Sequence, residues 1–319
     1  MTEAGGRSRA APVGGASRSR RPGVFEIVGA NGFKLASLVA RGMPGPVATY
    51  TANMLGPGLA QTMRSHRTMV ERHQQRIDPG LEGHALRRVV YGAFDSYARY
   101  WVESLRLPTL SQRAVDRGFE TESYEHFAAA MAGETGAIIA LPHLGGWEWA
   151  GRWIADRGYK ITVVVEPIEP PEVFEWFREL RARLGMTVVA LGPDVAATCS
   201  KALRDRHVLC LLCDRDIGGG GVEVEFFGER TKLPAGPAML ALRTGAPILP
   251  TSIYFSERHD GHVGVVRPPI PIVRTGKLRD DVANVTQLLA RELEILIRRA
   301  PEQWHLFQPN WPSDPGYGT

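Results

Sequence analysis

The chain has 319 residues, 44% hydrophobic and 23% charged, which suits one large α/β domain or two small ones and is ordinary for a soluble globular protein. Its formal charge of +4 lies wholly in residues 1–23, where Arg7, Arg9, Arg18, Arg20 and Arg21 face the single acid Glu3. The body is therefore neutral, which argues against nucleic acid as a partner. The three cysteines, Cys199, Cys210 and Cys213, lack the spacing of a zinc site or a disulfide framework and read as reduced core thiols of a cytoplasmic protein.

Residues 1–23, rich in Gly, Ala, Ser and Arg, predict a disordered basic arm without the apolar core of a signal peptide. Residues 24–63 are apolar but interrupted by charge, Gly and Pro, so a spanning helix is not expected. Two readings stand for them: an amphipathic element lying on an anionic membrane surface beside the basic arm, or helices packed on the protein's own core. Residues 64–80 are polar. Leu86, Val89, Val90, Ala93, Phe94, Tyr97, Trp101 and Leu105 recur at three- and four-residue intervals, which predicts a helix over 85–106. Its aromatic stripe reads as core or as the border of an acyl groove.

From residue 123 helices and strands alternate. Helices are expected at 123–132, 146–157, 171–184, 194–206, 235–244 and 280–299. Strands are expected at 136–142, 160–166, 186–191, 207–213, 222–227 and 247–255, with 261–266 as an antiparallel partner of the last. Near-continuous apolar strands between helices predict an α/β fold with a mostly parallel central sheet covered by helices on both faces. The expected organisation is a basic arm at 1–23 and a single domain at 24–319, largely helical over 24–132 and α/β over 133–312.

The buried run Ala137 to Leu141 ends at Pro142, and His143 follows at the place where α/β folds put their chemistry. Glu148 lies five residues on, in the first turn of a helix. A general base for a hydroxyl needs one imidazole nitrogen free and the other held by an acceptor, and a nearby carboxylate can hold it. Gly145 and Gly146 allow close approach, and amides at the helix start offer hydrogen bonds to an oxyanion or phosphate. Against this, Glu148 has Arg152 as a salt-bridge partner at i+4, and His143 can be a capping histidine. A second run, Asp214-Arg215-Asp216, closes another apolar strand. It leads through Gly218–Gly221 to Val222, Val224 and Phe226 alternating with Glu223 and Glu225. An acid after a parallel strand faces the same crevice as His143, and Glu223 is a candidate to hold the imidazole. The glycine run lacks the Lys-Ser/Thr of a P-loop. Arg178, Arg181 and Arg183 form a basic cluster that is either a solvated helix face or a phosphate site.

The H-x-x-x-x-E of His143 and Glu148 resembles the lysophospholipid-type acyltransferases, in particular the lipid A lauroyl/myristoyl branch. The segments Asp214-Arg215-Asp216, Val224-Glu225-Phe226-Phe227-Gly228, Pro234-Ala235-Gly236-Pro237 and Ala300-Pro301-Glu302-Gln303-Trp304-His305 are similar to that branch in the same order, across roughly residues 25–312. Within it the chain looks most like the phosphatidylinositol mannoside acyltransferases of actinobacteria. The resemblance implies a glycerol-phosphate acyltransferase-like fold with an N-terminal membrane-contacting region, peripheral on the cytoplasmic face of the plasma membrane. It implies direct transfer of a fatty acyl group, palmitoyl by expectation, from acyl-CoA to a mannose hydroxyl, with no cofactor and no metal. His143 would be the base, and Glu148 and Glu223 would support it, Glu223 as the favoured direct partner. Gly145 and Gly146 would meet the oxyanion, while Arg181, Trp147, Asp214, Arg215 and Asp216 would bind substrate. A different glycolipid acceptor, such as lipid A, and an acyl-CoA thioesterase are the alternative readings.

Overall fold

The computed structural model describes Gly32 and residues 35–166 and 171–318. The basic arm at 1–23, the start of the apolar segment and residues 167–170 lie outside the described residues. Seven strands form the central sheet: β1 (Phe119–Glu122), β2 (Ala137–Leu141), β3 (Ile161–Val165), β4 (Met186–Ala190), β5 (Val208–Leu212), β8 (Ile248–Phe255) and β9 (His262–Val266). Their order is β1-β9-β8-β2-β5-β3-β4. All neighbours are parallel except β8 and β9, which pair antiparallel as expected. β6 (Val222–Phe226) and β7 (Glu229–Leu233) make a separate antiparallel hairpin.

The central strands are apolar on both sides because both faces are covered. Ile138, Ala140 and Leu209 face α8 (Val195–Arg204), α9 (Gly236–Thr244) and α10 (Leu278–Arg299) in one core. Ala137, Ile139, Leu141 and Val208 face α4 (Gln112–Arg117), α5 (Tyr124–Ala132) and α6 (Trp147–Ala155) in the other. α7 (Pro171–Arg183) packs Val173, Phe177 and Leu180 against Trp101. Trp101 belongs to α3 (Gly83–Arg106), whose predicted apolar stripe is buried as core: Phe94 packs on Phe307 at a centroid distance of 5.0 Å.

Three departures from the sequence expectation have simple causes. β1 carries one apolar residue in Phe-Glu-Thr-Glu because it is an edge strand. β7 alternates Glu229, Thr231 and Leu233 with Arg230 and Lys232, which face solvent. The polar run at 64–80 contains α2 (Arg64–Ile77), which buries only Met69, Val70, His73, Gln74 and Ile77 along one stripe.

α1 (Gly45–Thr62) has an inverted polarity. It buries small residues, Ala48, Ala52, Gly56 and Ala60, against α3, and turns Val47, Tyr50, Met54 and Leu55 outward. Residues 35–42 are also helical and expose Leu35, Leu38 and Val39. Among the described residues no helix is long and apolar enough to cross a membrane. After α10 the chain returns across the C-terminal ends of the strands. Asp314 is held there by His73 and Arg76 of α2 and by the amides of Asn310 and Trp311.

Candidate active site

His143 and Asp214 meet because two neighbouring parallel strands run in register. Leu141 of β2 pairs with Leu212 of β5, and each chemical residue lies two positions further on. The His143 amide donates to Asp214 Oδ2 at 3.0 Å, and His143 Nδ1 stands 2.6 Å from Asp214 Oδ1. Asp214 is wholly buried. Burial alone would raise its carboxyl, but the His143 ring, the Trp304 indole and the His143 amide hold it below the usual carboxylate range. An ionised carboxylate only accepts, so Nδ1 carries the hydrogen, and in the neutral ring the lone pair then lies on Nε2. The His143 side chain retains 23% exposure, on the side of an open groove.

The C-terminal segment completes this pair. Trp304 Nε1 donates to Asp214 Oδ2 at 2.7 Å, and Asn310 Nδ2 donates to the Asp214 carbonyl at 2.9 Å. The amide of His305 donates to the His143 carbonyl at 2.6 Å. The His305 ring lines the groove, bonded to Ser96 Oγ through Nε2 at 2.8 Å. Burial and the neighbouring His143 push its pKa down to about 3, so it is neutral. Trp304, His305 and Asn310 lie some 160 residues beyond His143, and their side-chain roles are not legible in spacing.

The structure corrects the expected partners of His143. Glu148 is buried in the first turn of α6, where Arg181 Nε donates to it at 3.0 Å and the Tyr100 hydroxyl at 3.3 Å. The competitor expected for it, Arg152, bonds Asp156 instead. Glu223 is on the outer face of β6, because Val224 and Phe226 take the inner positions; its side chain is 63% exposed and paired with Arg230. The amides of Gly145 and Gly146 are also committed, to the carbonyls of Gln303 and Ile253, each at 3.0 Å. Gly145 has φ of 62°, and a Cβ there would fall 1.8 Å from the Ile253 oxygen, so backbone contact explains the glycine.

Four of the substrate-binding candidates, Trp147, Arg181, Arg215 and Asp216, line a groove of about 1000 Å³. Arg181 lines it, but as the ion partner of Glu148: burial opposes its charge, while Glu148 and Tyr100 raise the guanidinium above its usual range. Trp147 lies over Tyr100, ring centroids 4.2 Å apart, and 6.0 Å from the His143 ring. Arg215 pairs with Glu166 at 3.0 Å, and Asp216 accepts the Gly221 amide at 2.8 Å, bracing the glycine run. Asp214, expected to touch substrate, serves His143 instead. A second, smaller cavity of about 100 Å³ lies between α6 and the sheet, with mostly apolar walls. Trp147, Arg181, Val165 and Leu212 border both spaces, so the cavity opens beside the histidine.

The arrangement can deprotonate a hydroxyl at Nε2 and place a long apolar chain next to the reacting centre. Residues 33–313 match the family described as bacterial lipid A biosynthesis acyltransferase. The chain is 39% identical over 228 residues, 70% of each chain, to the phosphatidylinositol mannoside acyltransferase of Mycobacterium tuberculosis (strain CDC 1551 / Oshkosh). It is 33% identical over 279 residues, 86% of each chain, to the phosphatidylinositol mannoside acyltransferase of Mycolicibacterium smegmatis.

Proposed function

Since the chain belongs to the bacterial lipid A biosynthesis acyltransferase family, we propose that it moves a long-chain acyl group, palmitoyl for preference, from acyl-CoA to a mannose hydroxyl of a phosphatidylinositol mannoside. The observation that carries this reading is the His143–Asp214 pair on a groove that borders a smaller, mostly apolar cavity. The groove has room for a sugar headgroup and the pantetheine arm. The cavity offers mostly hydrocarbon contacts, with Glu148 and Arg181 paired at its border.

His143 Nε2 takes the proton of the mannose hydroxyl as its oxygen attacks the thioester carbonyl. Asp214 holds Nδ1–H and offsets the charge of the imidazolium. The tetrahedral intermediate collapses, the carbon–sulfur bond breaks, and the imidazolium returns the proton to the CoA thiolate. Direct transfer fits the nearby thiols. Burial pushes Cys210 up to about 12 and Cys199 up to about 11, so neither is a ready nucleophile for an acyl-enzyme.

The inverted α1 supports peripheral attachment at the cytoplasmic face of the membrane. Val47, Tyr50, Met54 and Leu55 form an exposed apolar face, continued by Leu35, Leu38 and Val39. An anionic lipid surface would cover it and bring the acceptor headgroup to the groove.

The deciding experiment incubates purified protein with palmitoyl-CoA and phosphatidylinositol mannosides and follows free CoA and product mass together. The proposal expects one added acyl group per CoA released. CoA release at the same rate without acceptor would instead identify a thioesterase, and transfer only to lipid A-type acceptors would move the substrate assignment.

A further inference from the structure

The smaller cavity has a mouth and a depth that the sheet register defines. Leu141, Leu212 and Val165 stand at the C-terminal ends of β2, β5 and β3, beside the mouth formed by Trp147 and Arg181. Ile161 and Val208 pair at the opposite ends of β3 and β5, four residues down each strand, or about 13 Å away. Met186, the first residue of β4, pairs with Ile161 and lines the cavity at that depth on one side, while Thr251, Val266 and Thr121 line it on the other.

Over Met186 lies α6, and the helix residue facing it is Gly151. A Cβ at position 151 would stand 2.3 Å from Met186 Cε and 3.1 Å from its Sδ. The Met186 thioether therefore fills the volume that a side chain at 151 would take. Methionine is unbranched and adapts its end group to the available space, so this contact is adjustable where a branched residue would be rigid. Glycine in a helix interior is less favourable than alanine, and room for Met186 is what Gly151 provides in return.

We infer that Gly151 and Met186 set the length of the acyl chain. The inference rests on the proposed acyl transfer and on assigning the smaller cavity to the acyl chain. With the thioester carbonyl beside His143, the hydrocarbon descends between α6 and the sheet, and its terminal methyl meets Met186 against Gly151. Chains that stop short leave a void there, and longer ones must displace the thioether.

The test gives wild type, Gly151→Ala, Met186→Ala and the double variant a ladder of acyl-CoAs from decanoyl to stearoyl with one phosphatidylinositol mannoside acceptor. Products are read by mass spectrometry, and thermal melts confirm folding. Gly151→Ala should lower the rate of the longest accepted chain relative to shorter ones by about tenfold for each methylene excluded. Met186→Ala should move the preference toward longer chains. The double variant should return toward the wild-type profile, because the methyl added at position 151 enters the space that the Met186 side chain vacates. A folded variant that keeps wild-type chain-length ratios overturns the inference even with transfer intact. If Gly151→Ala does not fold, the Met186→Ala profile decides. Lack of transfer by the wild type from any acyl-CoA is a failure of the proposed function; chain length is then read from binding of alkyl-CoA thioethers. There, an affinity profile common to wild type and Met186→Ala overturns the inference.

Discussion

Two of the histidine–carboxylate pairs among the described residues look alike on paper and differ in what surrounds them. His143 Nδ1 meets Asp214 at 2.6 Å, and its ring borders the groove. His262 Nε2 meets Glu103 at 2.7 Å, but its ring is sealed inside, stacked on Trp149 with centroids 4.2 Å apart. Arg99 bonds the other oxygen of Glu103 at 2.7 Å and reaches the carbonyls of Ser256 and Arg258 in the β8–β9 turn. The second pair ties α3 to that turn, and no substrate can approach it. Hydrogen-bond length therefore does not separate a base from a brace; access to the free ring nitrogen does.

The comparison breaks most visibly at the histidines. His143→Ala should lower acyl transfer by about 10⁴-fold and leave the melting temperature near that of wild type. His262→Ala leaves Glu103 Oε2 without its partner, Arg99 remaining on Oε1, and should cost about 1–3 kcal/mol of stability, while transfer per folded molecule persists. Denaturant titration beside rate measurements reads both; a stable His262→Ala protein with no activity would erase the distinction. Next comes the acid. Asp214→Asn disturbs the tautomer that keeps Nε2 unprotonated and should lower the rate by about 10³-fold. Glu223→Gln, on an exposed side chain, should leave the rate within about twofold. A large loss at Glu223 would contradict the geometry.

These assignments show what the amino-acid pattern can and cannot reveal. Ala137–Leu141 and Ile248–Phe255 were legible as strands because burial on both faces makes continuous apolar runs. His143 was legible because it follows one of them. Asp214 also follows one, and an acid at that place was expected to face the crevice. Which acid reaches the imidazole depends on strand order and register, and the pairing of Leu141 with Leu212 is a non-local fact. Glu148 carries the motif spacing but lies one helical turn away, pointing to Arg181. Trp304 and His305 stood out as part of a familiar segment, yet only the fold brings them against a histidine so distant in sequence.

A third way to sharpen the contrast uses His305, neutral and buried beside His143. Its pKa falls from 6.5 to about 3 on folding. The unfolded chain therefore binds the proton more readily, so the full stability is present above 6.5 and is lost as pH falls toward 3. His305→Gln keeps a polar partner for Ser96 and cannot titrate. At about pH 5 it should recover about 2 kcal/mol relative to its own deficit at neutral pH. Urea unfolding at the two pH values measures the difference, and parallel pH profiles would show that His305 is charged in the native state.

A smaller effect than those at His143 and Asp214 concerns Trp304, which acts on the reaction only through Asp214. Its indole N–H is one of the donors that hold the Asp214 carboxyl low. Trp304→Phe keeps most of the ring packing against Phe226 and Phe227 and removes that donor. A hydrogen bond to a charged group is worth about 1.5–3 kcal/mol, so kcat should fall about tenfold while KM for both substrates stays close to wild type. A purely structural tryptophan would lower the melting temperature without lowering kcat of the folded protein, so an unchanged kcat would reduce Trp304 to packing and leave Asp214 oriented by His143 alone.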